Sequence, residues 1–229
     1  MNVSIRIDRD GNKRYFNEED QCHREDGPSI ELINGTKAWY LNGKRHRVDG
    51  PAIEWNDGGK EWHLNGKLHR EDGPAIEYAN GDKHWYLNDN LYREDGPAII
   101  TGNGYIKKWV SNGVLHRDGK PAVECSVGYY SWYVNGLCHR EDGPARYWSH
   151  YKEWYIDGSF HREDGPAREY TNGLKYWYRN GLLHREDGPA IELPANYDNS
   201  QIYYIDDQRM TKWIINDGNF SFLNGVKVN

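Results

Sequence analysis

The chain has 229 residues, a net charge of −6 and a mean hydropathy of −1.02, with 37% hydrophobic residues. Charges of both signs are mixed along it, which argues against nucleic-acid binding through a phosphate footprint. No apolar run reaches membrane-span length, no signal-peptide core opens the chain, and Cys22, Cys125 and Cys138 form no Cys-x-x-Cys pair. These features lead us to expect a reduced, cytoplasmic protein.

The first predicted element is a hairpin: residues 3–7, a turn at 8–11 and a second strand over 13–16, with residues 1–22 acting as an N-terminal cap. From His23 onwards one motif dominates. HREDGPA stands at residues 69–75, 139–145, 161–167 and 184–190, with near-copies at 23–29, 46–52, 92–98 and 116–122. The motif prolines recur every 22–24 residues, as do Trp39, Trp62, Trp85, Trp109, Trp132, Trp154 and Trp177. About eight units of 23 residues therefore fill residues 23–193.

Each unit carries two turn signals, for example Asn80-Gly81 and Asn88-Asp89, and Asn-Gly favours the type I′ turn of a tight hairpin. Between turns, Ile76 and Tyr78 alternate with Ala75 and Glu77, so the pattern predicts one apolar and one small, polar face. The Pro and Gly of every unit exclude a helix. The expected fold is all-β: an elongated, twisted antiparallel β-meander, a repeat ribbon of hairpins forming a single domain over residues 1–229. With ~9.6 Å per two strands, the seven tryptophans are expected to form a ladder. Residues 194–229 form a C-terminal cap, with a degenerate strand at 203–205 and a last hairpin at 213–215 and 220–223.

The segment NGKLHREDGPAIEYANG (residues 65–81) resembles MORN repeats, most closely the MORN-variant repeats of bacterial and viral proteins, and the resemblance covers about residues 16–193. Two departures stand out: Arg-Glu-Asp intervenes before Gly-Pro, and no Gly stands two residues before the Trp, as in Lys60-Glu61-Trp62. The resemblance implies a non-enzymatic scaffold that holds a protein partner in an aromatic groove or along an edge. It also implies an inhibitor or antitoxin-like accessory role.

A His, an Arg and two carboxylates in a row suggest chemistry, a hydrolase for instance. Eight equivalent copies lack the asymmetry and burial of a catalytic site, so no catalytic residue is assigned. No metal site or cofactor is expected either: Tyr92 and Val48 delete candidate ligands without disturbing the period, and the motif Arg repels a cation. The motif reads instead as a corner, with Asp bonding locally, Gly permitting a positive φ and Pro leading into the next strand.

Function is sought where the repeat is broken. Lys107 and Lys108 precede Trp109, and Arg146 and Arg168 replace an apolar residue, followed by Trp148 and Tyr170 on the same face. Alternating Arg and aromatic side chains suit an acidic protein patch, the leading reading, or a nucleotide-like small ligand, the second. A plainer reading lays the same Arg side chains over neighbouring rings.

Overall fold

The structure, a computed structural model, describes residues 3–194, 203–210, 212–216 and 219–223. It is all-β, built of short antiparallel strands in consecutive hairpins, with one 3-10 turn at Gly102–Gly104. Residue contacts divide the chain into two units, Met1–Val114 and Leu115–Asn229.

In the first unit, Ser4–Ile7 pairs with Lys13–Phe16, as expected. The meander continues through Ile30–Glu31, Lys37–Ala38, Ile53–Glu54, Lys60–Glu61, Ile76–Glu77, Lys83–His84, Ile99–Thr101 and Ile106–Lys108, each antiparallel to the next. The second unit repeats the pattern with Val123–Cys125, Tyr129–Ser131, Arg146–Trp148, Tyr151–Glu153, Arg168–Tyr170, Lys175–Tyr176 and Ile191–Glu192.

Every repeat also contains a second, smaller hairpin, which the sequence pattern runs together with the first. In one repeat the sheet strand Lys60–Glu61 stops at Trp62, and His63–Leu64 then pairs with Lys67–Leu68 in a separate side hairpin. Trp62 is the hinge. Its N–H donates to Ala75 O at 2.8 Å, and its carbonyl accepts from His69 N–H at 3.1 Å. One residue thus serves two sheets, and the strand turns there. Neighbouring side hairpins are bonded in turn: Gly66 N–H donates to Arg45 O at 2.7 Å, and Arg70 N–H to Tyr86 O at 3.1 Å.

The two turns of a repeat differ. The side hairpins use the expected type I′ geometry, with φ of +53° and +89° at Asn65 and Gly66. The sheet hairpins do not. Among the residues of the Asn34-Gly35 turn, Gly35 takes a positive φ of +94°, Gly35 N–H bonds Leu32 O at 2.9 Å, and Leu32 N–H bonds Thr36 O at 2.9 Å. This is a wider loop closed by a glycine bulge, and the Asn34 side chain braces it by accepting from Thr36 N–H at 2.9 Å.

The strand Tyr203–Ile205, expected as a degenerate element, pairs with Gln208–Met210 across Asp206-Asp207, at φ of +46° and +62°. It is a further side hairpin, bonded to its predecessor through Arg185 N–H to Tyr204 O at 3.2 Å. Lys212–Asn216 pairs with Asn219–Leu223 as the expected last hairpin. The rest of the expected cap, residues 195–202, 211, 217–218 and 224–229, lies outside the described residues.

Burial departs from the expected faces at the corner, although Ile53 on the expected apolar face is buried. Ala52, Ala75, Ala98, Ala122, Ala145, Ala167 and Ala190 are fully buried, whereas Tyr78 is 46% exposed. The side hairpin folds over the corner where each sheet strand starts, as Cys138, Tyr155, Tyr133 and Phe160 do around Ala145. Little more than a Cβ fits there. Ser29 occupies the same place in the first repeat, its hydroxyl donating to Ala38 O at 3.2 Å and accepting from Tyr40 N–H at 2.9 Å.

Candidate functional site

The repeated motif is consumed by the fold. Arg70 Cζ lies 4.0 Å from the Trp62 ring centroid, and its guanidinium donates to Asp72 Oδ1 at 2.9 Å, Pro74 O at 3.2 Å and Glu77 Oε1 at 3.2 Å. Arg47 on Trp39, Arg162 on Trp154 and Arg185 on Trp177 repeat the arrangement at 3.9–4.1 Å. The bonded guanidinium holds the Asp72 carboxyl below the usual carboxylate range. Gly73 is needed for space rather than for a positive φ: a Cβ there would stand 2.8 Å from Arg70 Cζ. The motif His joins one repeat to the next, as His46 Nδ1 accepts the backbone N–H of Asn65 at 3.2 Å.

Imperfect copies follow the same logic. Glu71 is exposed and reaches only His69 Nε2, at 3.7 Å, so Val48 replaces its counterpart at the cost of one long, exposed ion pair. Two repeats carry Ile100 and Tyr147 where others have the Glu seven residues after the Arg. In those two the Arg lies 3.4 Å from the Pro carbonyl, against 3.1–3.3 Å elsewhere. In the copy with its extra residue after the Gly, Gly119 takes φ +62°, Asp118 turns to His116 Nε2 at 3.3 Å, and Arg117 keeps Pro121 O and Glu124.

The sheet register separates a constant face from a changing one. On the constant face, cross-strand neighbours run Lys13, Glu31, Lys37, Glu54, Lys60, Glu77 and Lys83, opposite charges side by side. Lys107, paired with Ile100, falls in this row. On the other face, the same strands place Ile30, Ala38, Ile53, Glu61, Ile76, His84, Ile99 and Lys108 in register. The residue just before each Trp, whether Ala38, Glu61, His84, Ser131, Glu153 or Tyr176, is what varies from repeat to repeat. Glu61 is braced by His63 Nε2 at 2.9 Å, Arg45 at 3.4 Å and Trp55 Nε1 at 3.2 Å. Hydrogen bonding from His63 lowers its pKa against the opposing effect of burial.

In the second unit the changing face gathers four of the sequence-predicted residues. Arg146 and Trp148 share one side of their strand, and Arg168 and Tyr170 share that side of theirs. The intervening strand supplies two residues the sequence reading missed, Glu153 and Tyr151, each in register with both neighbours. Glu153 is buried, 4% exposed, with Arg168 Nε 2.9 Å and Arg146 Nη1 3.9 Å from its carboxylate. Arg146 Nη2 donates to Tyr133 OH at 3.0 Å and its Cζ lies 5.1 Å from the Tyr155 ring, while Arg168 lies 4.8 Å from Tyr170. Beside this row runs a second, aromatic one: Tyr129, Trp148, Tyr151 and Tyr170, with successive centroids 5.0–6.3 Å apart. Lys107, Lys108 and Trp109 belong to the first unit. Trp39, Trp62, Trp85, Trp132, Trp154 and Trp177 each carry an Arg, and Trp132 also meets Tyr130 at 6.4 Å.

The Glu153 site is electrically simple. Burial pushes the Cys138 thiol up to about 11 and raises the Tyr155 phenol, so both are neutral at pH 7. A cleft of about 250 Å³ opens beside the aromatic row, lined by Trp148, Tyr151 and Tyr170. A wider, open concavity of about 800 Å³ lies between consecutive motifs, where Arg162 and Arg185 are already bonded. Among the described residues no three His, Cys, Asp or Glu stand together as metal ligands, and no helix is long and apolar enough to cross a membrane. Fold and face together define a β-hairpin repeat protein. No family model matches the sequence, and no curated protein matches it.

Proposed function

We propose that the chain is a non-enzymatic interaction module that binds a protein partner through the changing face of its sheet. One observation carries the reading. The motif residues that recur are bonded to one another on the constant side, whereas the residue before each Trp changes from repeat to repeat on the opposite face, which also carries a row of rings. In a repeat array, architecture accounts for what recurs, and recognition for what does not. Rows of Tyr and Trp offer large, rigid contact area at low entropic cost. The MORN resemblance supports the same reading, with an accessory, inhibitor-like role, and three free cysteines suit a reducing, cytoplasmic setting. A cleft of about 250 Å³ is smaller than a typical small-ligand pocket, which favours a protein surface over a nucleotide.

The test is affinity capture from host lysate with three baits: the native chain, a Trp148→Ala/Tyr151→Ala double variant, and a Glu71→Lys variant of the constant side. A partner retained by the native chain and by Glu71→Lys but lost by the double variant supports the face. Capture indifferent to the double variant would refute it.

A further inference from the structure

The row Arg146, Glu153, Arg168 holds two guanidinium groups against one carboxylate. The groups around it are uncharged: Tyr133 and Tyr155 on the side-hairpin strands, Cys138 with its raised thiol, and Ser131 and Tyr176 at the ends of the row. The alternation of the strands puts Lys152, Glu169 and Lys175 on the opposite side. One positive charge is therefore left over. Both Arg side chains remain 33% exposed, and Arg146 Nε and Arg168 Nε are buried without a hydrogen bond among the described residues, Arg168 Nε standing near Glu153 without the alignment of one. The row is bordered by Trp148, Tyr151 and Tyr170 on one side and by Tyr133, Tyr155 and Phe160 on the other.

We infer that this row is a recognition site for a single carboxylate, an Asp or Glu side chain presented by the partner on an extended segment. The inference rests on the interaction reading above and names the chemistry of the partner. The charge match favours it. A monoanion neutralises the surplus guanidinium charge, whereas a phosphate dianion would leave excess negative charge beside Glu153. The aromatic borders shield the pair from water, which strengthens a charge-assisted hydrogen bond. A buried carboxylate already held between the two Arg side chains also fixes their planes in place before the partner arrives.

The experiment uses the full chain on an array of capped pentapeptides with randomised flanks and Glu, Gln, Asp, Asn or phosphoserine at the centre. Retention about tenfold stronger for central Glu or Asp than for Gln or Asn is expected, equivalent to about 1.4 kcal/mol. A triple variant, Arg146→Ile, Glu153→Ser and Arg168→Ile, installs residues that other repeats carry at these places, so it keeps the fold while removing the charges. It should lose the preference, and Glu153→Gln should strengthen it. Retention that ignores the central residue yet disappears in Trp148→Ala/Tyr151→Ala would overturn the carboxylate site and leave the interaction module standing. A preference for phosphoserine would also overturn the site, and retention no better than on an albumin control would sink both readings.

Discussion

Arg70 lies over the Trp62 ring, its Cζ 4.0 Å from the centroid, and the same guanidinium reaches Asp72, Pro74 and Glu77. Hinge, corner and next sheet strand are thereby joined by one side chain. A stacked, multiply bonded guanidinium of this kind has no equivalent in lysine.

Removing it tests how much of the stability it supplies. Arg70→Ala should cost about 2 kcal/mol in urea unfolding, from a lost cation–π contact and charge-assisted hydrogen bonds. Arg93→Ala should cost about half as much, because Ile100 stands where Glu77 would be and the Arg93 bonds are longer, 3.3 and 3.4 Å. Equal losses would show that the carboxylate adds nothing.

Acid should loosen the array. Asp26, Asp72, Asp142, Asp164 and Asp187 are each held below the usual carboxylate range by a bonded Arg. Their folded pKa values lie below the unfolded one, so the unfolded chain binds more protons in acid. Their contribution is complete above about pH 4 and lost as pH falls through the folded values. Urea midpoints should change little between pH 7 and 5 on their account and drop below pH 4, with a smaller drop in Asp72→Asn. A drop of the same size in a variant lacking all five carboxylates would assign acid loss to other groups.

Thiol reactivity reports the corner packing. Cys125 and Cys138 are buried and Cys22 is half-buried, and burial raises the pKa of both Cys138 and Cys22, to about 11 for the former. Ellman's reagent at pH 8 should label Cys22 first, and Cys138 only at the rate of unfolding. Fast labelling of Cys138 in native buffer, mapped by mass spectrometry, would contradict the cover that Tyr155 and Phe160 give it.

Glu153 should be destabilising to remove alone. Glu153→Ala leaves Arg146 and Arg168 opposed without their shared carboxylate, a loss of about 3 kcal/mol. Adding Arg146→Ile and Arg168→Ile should restore most of it, because the row then resembles the Ile30, Ala38, Ile53 row of the first unit. Additive losses in a double-mutant cycle would show that the three residues do not act together.

The repeat length, the all-β meander and the type I′ turns were legible from Pro, Trp and Asn-Gly spacing, because turn chemistry is local. The changing face was partly legible: Arg146 and Arg168 stood out as charges in an apolar register. Glu153 did not, since an acidic residue before a Trp also occurs at Glu61 and the Glu-rich pattern gives no sign of burial. The split at each Trp was invisible for a different reason. It depends on Trp62 bonding Ala75 and His69 at once, two partners on either side of a corner.

Periodicity, turn types and the place of the anomalous residues follow from the order of residues alone, since each depends on neighbours a few positions apart. Tertiary structure decided that the fully buried position is Ala75 rather than Tyr78, that Gly73 makes room for a guanidinium, and that two arginines meet around one carboxylate. Those outcomes arise from side hairpins folding over corners and from strands brought into register, and burial and charge balance exist only once such distant segments touch.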